Sequence, residues 1–141
     1  MRRIKPLIND PYTAVSVILQ ENTNITSLLG KYKGETIPLI KGGILAESET
    51  DYPRILFYND PMDSKGNIED STFVLNCLAK TSRDSYLLAR TIVRELNGGQ
   101  VHADGYPSTV TCRLLGQNPD PTQKAVNTVV EMRLYNINGG A

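Results

Sequence analysis

Thr72-Phe73-Val74-Leu75-Asn76-Cys77-Leu78-Ala79-Lys80-Thr81-Ser82-Arg83-Asp84, continuing to Leu96-Asn97-Gly98-Gly99, is the stretch on which the fold turns. From Phe73 every second position (Phe73, Leu75, Cys77, Ala79) is apolar, and the other face mixes Val74, Asn76 and Leu78. A period of two with β-branched and aromatic residues predicts a mostly buried strand. The period then changes. Thr81 followed three positions later by Asp84 is a variant of the capping box, which satisfies orphan amides at a helix start. Leu88, Ile92 and Leu96 recur every four residues, with Ala89 and Val93 beside them, and form one core-facing stripe. Arg83, Arg90, Arg94 and Glu95 fall mainly on other faces. Asn97-Gly98-Gly99 ends the helix, because glycine adopts the left-handed C-terminal conformation without a Cβ penalty. A strand joined so tightly to a helix folds the helix back across its sheet, and the two apolar faces bury each other.

At 141 residues the chain predicts a single domain, long enough to bury a core without staples. Hydrophobic residues make up 40% and charged residues 21%, a globular rather than a disordered balance. Fifteen basic residues match fifteen acidic ones. That neutrality argues against a dedicated nucleic-acid binder, which normally has a basic excess, and it opposes self-association little. Cys77 and Cys112 both lie in strand-like segments and read as buried free thiols. The start, Met1 to Pro6, is basic but has no apolar run after it, and no stretch is long enough to span a bilayer. The expectation is a protein made in a cytoplasm.

Outward from that stretch, residues 1–9 form a basic arm, either a frayed terminus or an arm reaching a neighbour or a phosphate backbone through Arg2, Arg3 and Lys5. Asp10-Pro11 predicts a helix start, with Ala14, Val15, Ile18 and Leu19 as its buried stripe. Asn22-Thr23-Asn24 predicts a break, and Ile25 to Gly30 a short second helical turn. Ile37 to Ile40 reads as an edge strand that tolerates Pro38, with a bulge or turn at Gly42-Gly43. Glu47, Glu49 and Asp51 read as a solvated acidic loop, since no histidine is near and the spacing matches no calcium loop. Tyr52 to Asn59 is a strand with a proline near its start. Asn59 to Ser71 is polar throughout and longer than most hairpin loops, which makes it a candidate functional loop holding Asp63, Lys65, Asn67 and Glu69. Gly98 to Ser108 reads as a loop containing the lone His102, Thr109 to Leu115 as a strand, and Gly116 to Thr122 as a prolonged turn. In Val126 to Ile137, Val126, Thr128, Val130, Met132 and Leu134 take one face of a strand, while Glu131, Arg133 and Tyr135 take the other.

The result is an α+β domain over residues 10–137, with one mostly antiparallel sheet and two main helices packed on one face, followed by a glycine tail at 138–141. No phosphate-cradling glycine pattern, metal-ligand spacing or nucleophile elbow occurs. The chain therefore reads as a non-enzyme without cofactor or metal. The polar strand face of Glu131, Arg133 and Tyr135 is either solvent-facing sheet or a subunit interface, where arginine and tyrosine are enriched.

The order of elements resembles the tail-terminator (tail-completion, head–tail joining or neck) proteins of tailed bacteriophages. The likeness rests on the Asp10-Pro11-Tyr12-Thr13-Ala14-Val15 opening helix, the Tyr52-Pro53-Arg54-Ile55-Leu56-Phe57-Tyr58 strand, the helix from Asp84 to Gly98, and the closing strand Val126 to Tyr135. It implies a structural virion protein, assembled in a host bacterial cytoplasm, that forms a homo-oligomeric ring, commonly a hexamer. That ring caps the tail tube, meets tail-tube and head-connector or adaptor proteins, and passes DNA non-specifically through its lumen, with no membrane partner. Candidate interface residues are Asp63, Lys65, Asn67, Glu69, Arg83, Glu131, Arg133 and Tyr135; Arg2, Arg3 and Lys5 are candidates for the arm or lumen. Lys65→Glu combined with Arg83→Glu is expected to weaken assembly. Two alternatives stand beside it. One is another neck or connector ring, such as a head-completion or adaptor protein, possibly dodecameric. The other is a small nucleic-acid-binding module using Arg2, Arg3, Lys5, Arg83, Arg90 and Arg94, the last two sharing a helix face.

Overall fold

A computed structural model describes residues 11–32, 35–43, 51–60, 70–103, 106–121 and 124–135. Phe73, Leu75, Cys77 and Ala79 do point one way from the central strand and are fully buried. That strand, β3 (Asp70–Ala79), lies between β2 (Arg54–Asn59) and β6 (Ala125–Tyr135), antiparallel to both. β1 (Ile40–Gly42) flanks β2 in parallel, and β5 (Tyr106–Asp120) and β4 (Gln100–Ala103) continue the sheet beyond β6, again antiparallel. The order across the six strands is β1-β2-β3-β6-β5-β4. The fold is α+β with a mostly antiparallel sheet, as the alternation and the short strand connections require.

Cross-strand register keeps one face apolar. Ile55 and Phe57 on β2, Val130, Met132 and Leu134 on β6, and Val110 and Cys112 on β5 share the face of Phe73. α1 (Pro11–Glu21) and α3 (Ser82–Leu96) cover that face. α1 supplies Ala14, Val15, Ile18 and Leu19, and α3 supplies Leu88, Ala89, Ile92 and Leu96, the stripes their spacing predicts. Tyr12 of α1 stands edge-on to Phe73, with ring centroids 5.1 Å apart. The opposite face has a smaller apolar cluster, Leu56, Leu78 and Ala125 with Tyr52 against them.

The helix boundaries follow local chemistry. Thr81 accepts the Asp84 amide at 3.1 Å, and Gly98 closes α3 at a φ of 79°. Asn22 ends α1 at Glu21, where the break was expected. Its side chain caps α2 (Thr23–Thr26) by accepting the Ile25 amide at 3.1 Å, because a short polar side chain stabilises a helix start as readily as it interrupts a helix.

Three sequence expectations need correction. Gly116 to Asp120 is strand, not turn: β6 offers a continuous partner, and the turn is confined to the segment between Asp120 and Ala125. Gln100 to Ala103 is strand rather than loop, because β5 begins at Tyr106 and gives these weakly apolar residues an edge to pair with. The edge strand expected at Ile37 to Ile40 is shifted to Ile40–Gly42, and Pro38 makes only an isolated bridge to Lys31.

Candidate functional site

Of the residues singled out from sequence, Arg2, Arg3, Lys5, Asp63, Lys65, Asn67 and Glu69 lie outside the described residues, as do the 138–141 tail and Glu47 and Glu49. The others do not form one patch. Arg83 is exposed in the first turn of α3, on the helix layer. Glu131 and Arg133 project from β6 on the sheet face that carries no helix, half-buried, and Tyr135 ends the strand opposite Asp70 and Thr109. A full layer of sheet therefore separates Arg83 from Glu131 and Arg133, which lie on two different surfaces of the subunit. Helix and strand periodicity assigns faces within an element but says nothing about which side of the sheet a helix crosses.

What Glu131 does meet is Arg113, directly across the β5–β6 ladder, in a two-pronged pair with the shorter contact at 2.9 Å. Arg113 is exposed, so the pair orients two side chains more than it stabilises the fold. On the same face Asn127 donates to Asn76 at 2.8 Å.

Beneath the start of α3 lies a polar network that sequence reading missed. Ser85, fully buried, donates to the Cys77 carbonyl at 2.6 Å and lies 2.7 Å from the Thr128 hydroxyl, also fully buried. Gln117 Nε2 reaches both Thr128 Oγ1 and the Ser82 carbonyl at 2.9 Å. These bonds tie α3 to β3, β6 and β5 together. The available signal was Thr128, a hydroxyl on an otherwise apolar strand face. At the other end of α3, the Asn97 side chain accepts the Cys112 amide at 3.0 Å. Glu95 accepts from Asn24 at 2.7 Å and from Asn22 at 3.4 Å, which joins α3 to α2. Those amide donors, Asn24 first, hold its carboxyl below the usual carboxylate range.

Chemistry that would mark a catalytic centre is sparse. Cys77 and Cys112 are free thiols. Burial pushes the Cys77 thiol far up, with Cys112 adding to the shift, and raises Cys112 to about 12, so neither offers a thiolate nucleophile at neutral pH. Among the described residues no cluster of three or more His, Cys, Asp or Glu side chains could hold a metal ion. No described helix is long and apolar enough to cross a membrane. A shallow open groove of about 420 Å³ lies by the β5–β6 turn, bordered by Lys80, Asp120, Lys124 and two prolines. Lys80 also lies 5.0 Å from the Tyr52 ring centroid, a cation–π contact at the mouth of the small second cluster.

The most unusual surface is lateral. β1, only three residues long, closes one side of the sheet. On the other side β4 pairs with β5 at residues 106–109, and the backbone of Gly98 and Gly99 extends this to Val110. Past Cys112 the outer edge of β5 has no backbone partner among the described residues. On it Leu114 and Leu115 are 38% and 49% exposed, and Tyr86 and Leu87 of α3 are exposed as well. Comparison with protein-family models, with curated proteins and with solved structures finds no match to this chain.

Proposed function

We propose that this chain is a structural subunit that closes into a homo-oligomeric ring at the head–tail junction of a tailed phage, capping the tail tube and joining it to the head connector while DNA passes through the lumen. The resemblance in element order suggests the role. The observation that carries it is the inequality of the two sides of the sheet, one ending in the three-residue β1, the other in a long β5 that past Cys112 has no outer backbone partner among the described residues. A closed ring needs two different, complementary surfaces on each subunit, and unlike edges supply them where a symmetric sheet would not. The near-neutral composition suits contacts made by paired opposite charges.

The test is the state of the purified chain, measured by light scattering coupled to size exclusion and by negative-stain imaging. A ring, most simply a hexamer, is expected; a twelve-membered ring would shift the assignment to another neck component. A monomer at every concentration and salt, or turnover of a small molecule, would end the reading. The row of Arg83, Arg90 and Arg94 on α3 favours one other reading, a phosphate-backbone contact, which predicts DNA affinity that falls steeply with salt.

A further inference from the structure

Asn97-Gly98, where α3 hands over to the sheet, carries a reactivity of its own. In an unfolded chain the backbone nitrogen that follows an asparagine attacks the side-chain amide of that asparagine, and a following glycine, with no Cβ, leaves the approach open. Here Asn97 and Gly98 are both exposed, so water and base reach them. What holds the pair back is geometry. Asn97 is extended, with φ −66° and ψ 125°. Ring closure needs its Cα–Cβ bond to eclipse the bond from its carbonyl carbon to the Gly98 nitrogen, and at this ψ the Cα–Cβ bond is rotated well away from it. The side chain is also drawn elsewhere, since Asn97 Oδ1 accepts the Cys112 amide at 3.0 Å. The nucleophile is engaged too. Gly98 donates its N–H to the Val110 carbonyl at 2.8 Å, and loss of that proton would take away the carbonyl's donor. On either side, the Asn97 amide donates to the Val93 carbonyl and the Val110 amide to the Gly99 carbonyl, both at 2.9 Å, so ψ of Asn97 cannot turn without opening the junction between α3 and β5. Glycine is needed at 98 for its backbone and not for space: φ is 79°, and nothing stands within 4 Å of where a Cβ would be.

We propose that Asn97-Gly98 is a deamidation site that the fold keeps closed, and that opening of the α3–β5 junction releases it. The proposal stands apart from the ring reading. The reaction balances with water alone. Solvent base takes the Gly98 N–H proton, the nitrogen forms a bond to Asn97 Cγ, and the Cγ–Nδ2 bond breaks as the side-chain nitrogen takes up a proton and leaves as ammonia. The cyclic imide then adds water. Breaking its bond from nitrogen to Cγ gives aspartate; breaking its bond from nitrogen to the main-chain carbonyl carbon gives isoaspartate, whose backbone runs through Cβ and Cγ. Aspartate keeps an oxygen to accept the Cys112 amide. Isoaspartate lengthens the backbone where residues 97 and 98 must reach Cys112 and Val110 together, so the junction does not close over it as before.

The sequence has a second Asn-Gly pair, Asn138-Gly139, and trypsin places the two on different peptides, 95–113 and 134–141. The full chain is incubated at mildly alkaline pH, folded and in guanidinium, and deamidation at Asn97 is followed by peptide mapping in a mass spectrometer. The folded chain is expected to react at Asn97 about tenfold or more slowly than the denatured one, because only the locally opened fraction can cyclise. Leu96→Ala empties a buried site in the last turn of α3 and keeps both reacting residues. It is expected to speed the folded-state reaction about threefold or more, with faster hydrogen exchange at the Gly98 amide. Thermal melting checks that the variant is folded, and Val93→Ala is the milder substitution if it is not. Equal rates in the folded and denatured parent, or no reaction at Asn97 in guanidinium, would overturn the proposal. A folded variant that exchanges faster at Gly98 yet deamidates no faster than the parent would overturn the link to junction opening.

Discussion

The two edges of the sheet are built on opposite principles. At the β1 edge the strand is short, but its surroundings are dry: Leu39 and Ile40 are buried, and Tyr12 packs over Phe57 and Phe73 while its hydroxyl accepts the Asn59 amide at 2.9 Å. At the β5 edge the strand has fifteen residues, yet beyond Val110 its backbone is held mainly from the β6 side. One edge is stabilised by aromatic packing under it, the other by a long ladder beside it. Past Cys112 the outer side of β5 has no backbone partner among the described residues. The difference teaches that strand length is no guide to closure; what covers the edge decides whether the strand ends the sheet or invites more of it.

The contrast can be broken first at its packed end. Phe73→Ala empties a fully buried site beneath the Tyr12 and Phe57 rings and is expected to destabilise the fold by about 3–5 kcal/mol, read as a lower urea midpoint. A loss of under about 1 kcal/mol would mean that this edge is not held by its aromatics. Next comes the pin under α3: Ser85→Ala leaves the Cys77 carbonyl without its hydroxyl donor and should remove about 1–3 kcal/mol. Tyr12→Phe, which deletes only the hydroxyl that receives the Asn59 amide, should cost about 1 kcal/mol by the same measurement.

On the β5 side the expected effects on the folded subunit are small. Arg113→Ala breaks an exposed pair with Glu131 and should change stability by no more than about 0.5 kcal/mol. A larger loss would show that β5 depends on this pair as well as on its ladder. The smallest effect sharpens the comparison through pH. Because Asn24 and Asn22 hold the Glu95 carboxyl below its usual range, its contribution is present above the ordinary carboxylate value and fades as pH falls through the lower, folded one. Urea midpoints of the parent and Glu95→Gln should therefore differ near pH 6 and converge in acid; a constant difference would assign the effect to packing.

Much of the fold could be read along the chain. The alternation in Phe73 to Ala79, the stripe of Leu88, Ile92 and Leu96, the Thr81 cap and the alternating face of β6 all stand where their periods place them. What misled was local chemistry read in isolation. Gly116, Asn118 and Pro119 have turn propensities, but a partner strand satisfies their backbone in extended form, and Pro119 falls at the one phase that tolerates it. Of the candidate site, Glu131 and Arg133 were assigned to the correct face, while Arg113 as partner and the separation of Arg83 depend on strand order and were invisible.

Periodicity and capping are written within a few residues of one another, so the amino-acid string alone determined the elements, their buried sides and the α+β class. Strand order, the bulge at Leu115 and the stretch of β5 past Cys112 that has no backbone partner among the described residues were decided only in three dimensions. They arise from contacts between segments far apart in the chain, and no local pattern reports which neighbour a strand will find or which edge will be left without one.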